Sequence, residues 1–105
     1  MKTLRYSAGW LALATALNAP AALAAGDKAR ALLPLCASCH GMDGVSSVDL
    51  YPNLAGQKKA YLAKQLREFR SKERVNETMA PMAEPLDDAA IEQLADYFSS
   101  LSGAN

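Results

Sequence analysis

Both cysteines and the only histidine of this 105-residue chain fall within one five-residue run, Cys36-Ala37-Ser38-Cys39-His40. A disulfide between two positions so close would close almost no loop and would restrict the unfolded chain very little, so stapling is not the job of these thiols. The chain is long enough for one small domain. Such a domain buries too little surface to be comfortably stable alone, and it usually recruits a disulfide, a metal or a cofactor into its core. The run itself is where that help must come from.

The first 24 residues differ from the rest. They carry Lys2 and Arg5 and no acid, then an apolar stretch from Ala8 to Leu17, then Ala22-Leu23-Ala24 with small residues at the two positions a signal peptidase reads. This pattern predicts a cleaved secretory signal peptide over 1–24 and an exported mature domain over 25–105. The other reading, a retained membrane anchor, has to accept an apolar stretch that stops at Asn18 and Pro20, short of the ~20 residues that span a bilayer. No permanent membrane span is expected. The mature segment holds 9 Lys+Arg against 11 Asp+Glu, which gives no basic excess for nucleic acid.

The remaining pattern is all-α, with three main helices and no sustained β alternation. Asp27 is a candidate N-cap for a first helix running towards Cys36, with Pro34 expected to kink or restart it. Residues 41–57 have loop composition, with Gly41, Gly44, Pro52, Asn53 and Gly56. A second, amphipathic helix is predicted from Lys58 to Ser71, where Leu62, Leu66 and Phe69 share a face. The connection from Val75 to Leu86 holds Pro81 and Pro85, which rule out an uninterrupted helix across it. Asp87 then caps a third helix with Ile91, Leu94, Ala95, Phe98 and Leu101 on one face, and Gly103 is expected to end it.

The chemistry lies in the C-x-x-C-H run. Its two thiols can form thioether bonds to the vinyl groups of a haem while the adjacent imidazole reaches the iron. A zinc site needs about four N/S ligands, and there is no second cysteine pair. A thioredoxin-like redox pair wants a βαβ context that a helical pattern lacks. No Ser/His/Asp or paired-carboxylate site can be assembled from the other residues, so an enzyme of those kinds is not expected.

Five segments together, Cys36–Gly44 (CASCHGMDG), Tyr51–Gln57 (YPNLAGQ), Tyr61–Leu66, Met79–Ala83 (MAPMA) and Ala95–Ser100, closely resemble small bacterial class I c-type cytochromes. The likeness is to the cytochrome c553 group and to one lobe of the two-haem cytochrome c4. It covers essentially all of the mature chain, with two departures: Pro34 stands inside a helix that is usually unbroken, and Ala29 stands where a glycine often lets the first and last helices touch.

The resemblance implies one haem c attached through Cys36 and Cys39, with His40 as proximal ligand. It implies that the Pro52 carbonyl accepts a hydrogen bond from the other imidazole nitrogen, fixing the ring, and that Leu54 packs against the haem face. On turn chemistry alone Pro52 is an ordinary loop proline. The sixth ligand decides function, because a thioether there raises the reduction potential and closes the iron. Met79 and Met82 both qualify by spacing; the family's ligand stands seven residues before the leucine preceding the last helix, as Met79 does before Leu86. Gln57, Lys64, Arg74 and Asn76 lie where related proteins often place donors to haem carboxylates. The implied function is one-electron transfer between larger redox proteins, such as an oxidase, a reductase or a dehydrogenase. The alternatives are a fixed haem subunit of such a complex and a haem sensor or peroxidase with a labile sixth ligand.

Charge is uneven along the mature chain: seven Lys+Arg and two Glu over Lys58–Arg74, then six acids and no base from Val75 onward. Two readings stand open, helix faces that attract each other and a docking patch for an acidic partner.

Overall fold

A computed structural model of the chain describes residues 21–103 and, ahead of them, positions 3 and 9, with side chains described from Lys28 onward. Most of the predicted signal peptide, including its apolar stretch, therefore lies outside the described residues. Four helices succeed one another: α1 (Ala21–His40), α2 (Lys59–Ser71), α3 (Met79–Ala83) and α4 (Asp88–Ser100). The last helix packs against both α1 and α2, and α3 packs against α2.

The core arises from the two amphipathic stripes. Leu62, Ala63 and Phe69 from α2 meet Ala90, Ile91, Leu94, Ala95 and Phe98 from α4. Ala29 of α1 and Ala83 and Leu86 from the α3 region complete it. Ala29 is buried, so a small side chain suffices where α1 meets α4. Among the described residues, six of the twelve buried apolar ones are alanines, which leaves a thin core.

Three local expectations need correction. First, α1 begins at Ala21, so Asp27 lies inside it and is not its N-cap; the helix also runs without a break across Pro34. The helix therefore does not restart at Pro34: that proline is exposed, so the amide it lacks is missing on the solvent side, while Leu32, Leu33 and Cys36 pack against the core and keep the helix continuous. Secondly, the Val75–Leu86 connection contains α3. Pro81 is tolerated because it stands in the first turn, where an amide has no intrahelical partner to lose. Thirdly, α4 ends at Ser100 with Leu101 in an extended conformation, ahead of Gly103. Gly103 serves instead for close approach: a side chain on Gly56, which has φ +75°, would press on the Gly103 backbone at 3.2 Å.

Asp87 caps α4, its Oδ1 accepting from Ala90 N at 2.8 Å, and Lys28 Nζ lies 3.5 Å from its Oδ2. The Ala90 amide, helped by Lys28, holds this carboxyl below the usual carboxylate value. A group depressed in the folded state contributes stability that is complete above its unfolded pKa and disappears as pH falls through the folded value. Asp87→Asn keeps an acceptor that does not titrate. Its denaturation midpoint is therefore expected to fall less steeply than wild type below about pH 4; parallel acid limbs for the two proteins would remove Asp87 from the pH dependence.

Candidate functional site

The run Cys36–His40 forms the last turn of α1. Cys36 and Cys39 are free thiols, both half-buried. Burial pushes the Cys36 thiol above its ordinary pKa, partly offset by a backbone hydrogen bond. His40 closes the helix and is 7% exposed.

Two glycines shape the loop beyond His40. Gly41 has φ +84° and donates to Ala37 O at 2.8 Å, ending the helix in a left-handed turn. A side chain there would run into the Val45 carbonyl. Gly44 has φ +72°, and its carbonyl accepts from both Leu54 N (2.8 Å) and Ala55 N (3.0 Å), drawing residues 52–55 back under the helix end. A Cβ on Gly44 would stand 2.8 Å from the Ala55 backbone nitrogen, so the approach requires glycine. Asn53 Oδ1 accepts from Ser46 N at 2.7 Å, and Tyr97 Oη of α4 donates to Met42 O at 2.6 Å.

This loop puts Pro52 O 2.8 Å from His40 Nδ1. A carbonyl can only accept, so Nδ1 carries the proton and Nε2 is left with its lone pair. Cys36, Leu54, Leu66 and Met79 each border the same apolar cluster, half-buried. Met79 is the first residue of α3; Met82 is also half-buried but is not among the side chains packed on that cluster. Two thiols and an imidazole in one helical turn are the groups by which a c-type haem is attached and ligated. Among the described residues, no three His, Cys, Asp or Glu side chains come together as a metal site.

The four polar candidates all have protein partners. Gln57 Nε2 donates to Asn53 O at 2.6 Å, and Lys64 pairs with Glu68 at 2.7 Å. Arg74 donates to Gln65 Oε1 at 2.6 Å and lies over the Phe69 ring at 4.6 Å. Asn76 Oδ1 accepts from Thr78 N and Met79 N. One residue that bears on this site escapes sequence reading: Arg70 donates to Leu86 O at 2.9 Å and to Asp88 at 2.7 Å. It is one of seven cations on a basic segment, and nothing in the pattern sets it apart.

The charge asymmetry is largely met within the fold. Lys59 reaches Glu92 and Asp96, Arg67 reaches Glu92, and Arg70 reaches Asp88, all across the α2–α4 interface. Exposed pairs of this kind are worth about 0–1 kcal/mol each. Helix faces attracting each other account for these three cations without a docking patch.

The family model described as cytochrome c matches residues 26–102. The chain is 46% identical over 66 residues to cytochrome c4 of Thiocapsa roseopersicina, with 63% of this chain and 34% of that protein covered. It is 40% identical to cytochrome c-554(548) of Halomonas halodenitrificans, covering 62% of this chain and 82% of the relative. Among solved structures, reduced recombinant cytochrome c4 from Pseudomonas stutzeri matches with a TM-score of 0.62 and 34% identity, over 75% of this chain and 49% of that one. Thiosulfate dehydrogenase from Marichromatium purpuratum matches with a TM-score of 0.66 and 33% identity, over 74% of this chain and 19% of that one. The chain thus spans half or less of several of the proteins it matches.

Proposed function

Because this chain belongs to the cytochrome c family, as a c4-like class I c-type cytochrome whose Cys36 and Cys39 fit one covalently attached haem c, we propose that it is an exported, His/Met-ligated, single-haem carrier of one electron between larger redox proteins. In this reading residues 1–24 are a signal peptide removed after Ala24, and residues 25–105 work in the periplasm. Among the described residues no helix is long and apolar enough to cross a membrane.

One observation carries the reading: the Pro52 carbonyl accepts from His40 Nδ1, which leaves Nε2 as the nitrogen available to a metal. The haem group would be held by thioether bonds to Cys36 and Cys39, by the His40 imidazole and by the Met79 thioether, with Leu54 packed against it. When bound, haem c supplies an iron that gains and loses one electron. The protein's part would be to keep the His40 and Met79 donors in place, so that little has to move as the charge changes. Arg74 has five N–H donors and uses one on Gln65, so it keeps donors for a haem carboxylate. Gln57, Lys64 and Asn76 also keep N–H donors beyond their described bonds and are candidates for the same role.

A second reading has one specific support: two relatives are named thiosulfate dehydrogenase electron acceptor, from Thiomonas intermedia and Stutzerimonas stutzeri. The electron donor of this chain would then be a dehydrogenase, with the chain as its acceptor and not as a catalyst.

Purified protein tests the proposal. Its haem is expected to stay with the polypeptide through denaturation and acid extraction, and the reduced protein at neutral pH is expected not to change its visible spectrum under carbon monoxide. Haem lost on denaturation would overturn the attachment. Carbon monoxide binding would replace the carrier by a sensor or peroxidase with a labile sixth ligand.

A further inference from the structure

Between α2 and α4 the chain makes only one short helix, and that helix starts with Met79. Five residues are too few to be stable by their own hydrogen bonds, and Pro81 contributes no donor. Thr78 stands at the N-cap and makes no side-chain capping bond. Asn76 does that work from two positions earlier: its Oδ1 accepts from Thr78 N at 3.0 Å and Met79 N at 2.8 Å, and its backbone carbonyl accepts from Ala80 N at 3.0 Å. The far end of the segment is tied to α2. Arg70 Nη1 donates to Leu86 O at 2.9 Å while Nη2 donates to Asp88 Oδ1 at 2.7 Å. Leu86 is buried, so Arg70 ties the end of the segment to α2 at the edge of the core.

We propose that Asn76 and Arg70 are positioning residues for the Met79 thioether, two polar clamps that set how firmly the sixth coordination position is closed. The proposal rests on the reading of Met79 as the iron ligand. An outside ligand can take that position only when the 76–86 segment swings away. Its apparent affinity is its intrinsic affinity scaled by the open fraction. Each clamp bond made in the closed form and broken in the open one lowers that fraction, and a lost hydrogen bond of about 0.5–1.5 kcal/mol raises it roughly 2- to 12-fold.

The test is a titration of the oxidised haem-loaded protein with imidazole, monitored in the visible spectrum together with the sulfur-to-iron absorption band. Asn76→Ala and Arg70→Met are each expected to bind imidazole about tenfold more tightly than wild type. Asn76→Asp keeps the acceptor for the two amides and is expected to stay near wild type. Lys59→Met breaks the pairs to Glu92 and Asp96 on the same helix interface but away from the segment, and is expected to leave the affinity unchanged. Unchanged affinity in both Asn76→Ala and Arg70→Met, with the band present in wild type, overturns the clamps while leaving Met79 as ligand. An equal rise in Lys59→Met also overturns them, because it reports general loosening. If Asn76→Asp behaves like Asn76→Ala, Asn76 acts through its donor side, towards a haem carboxylate, and its positioning role is wrong. Absence of the band from wild type instead removes the Met79 reading on which the clamps depend.

Discussion

Replacing Met79 by Ala is expected to abolish the sulfur-to-iron band, to lower the reduction potential and to admit imidazole and carbon monoxide, while Met82→Ala leaves all three near wild type. The two methionines lie three residues apart in α3, but only Met79 is packed on the apolar cluster that Cys36 and Leu54 also border. Axial ligands tune haem potentials over roughly 0.8 V, and thioether ligation raises them, so the drop should be on the order of 0.1 V or more. Loss of a side chain from the cluster edge should also cost about 2 kcal/mol of stability. Spectra and potentiometry on the two variants decide it. The reverse pattern would transfer the ligand to Met82, and unchanged spectra in both would remove methionine ligation.

The second large effect is expected from Cys36→Ala and Cys39→Ala combined: the exported chain should carry no covalent haem and should be largely unfolded. Among the described residues, half of the buried apolar ones are alanines, and the larger ones are Leu62, Phe69, Leu86, Ile91, Leu94 and Phe98. A core of that size does not sustain a domain of about 80 residues without the area a cofactor adds. Haem staining of denaturing gels and circular dichroism check this. Each single change should leave one thioether bond and a folded but less stable protein. A double variant with native helicity and a sharp thermal transition would show that the polypeptide folds by itself.

Much of the frame is legible in the chain. The α2 and α4 stripes repeat at helical spacing, and Asp87 precedes α4 as a cap should. The illegible parts share one cause, the dependence of local signals on which side faces water. Pro34 reads as a break because its exposure is invisible in sequence, and α3 is hidden because Pro81 sits in a first turn that only the fold defines. For the site, the thiols and imidazole announce their chemistry at any level of structure. The His40–Pro52 contact depends on Gly41 and Gly44 folding the loop back, which spacing alone does not specify. Arg70 and Asn76 act on backbone atoms of Thr78, Met79 and Leu86, and no pattern of side chains encodes partners of that kind.

The start and the end of the fold are bound to each other across long stretches of chain: Lys28 of α1 meets Asp87, the cap of α4, 59 positions later, and Met42, just past α1, meets Tyr97 of α4, 55 positions later. Contacts of such separation form late, since the loop between them must be closed before they contribute any stability. A polypeptide that emerges N-terminus first therefore presents Cys36, Cys39 and His40 in the open before residues 88–100 have arrived to pack against α1. The chain order amounts to a timetable, in which the thiols that must be chemically joined come early and the helix that closes the fold around them comes last.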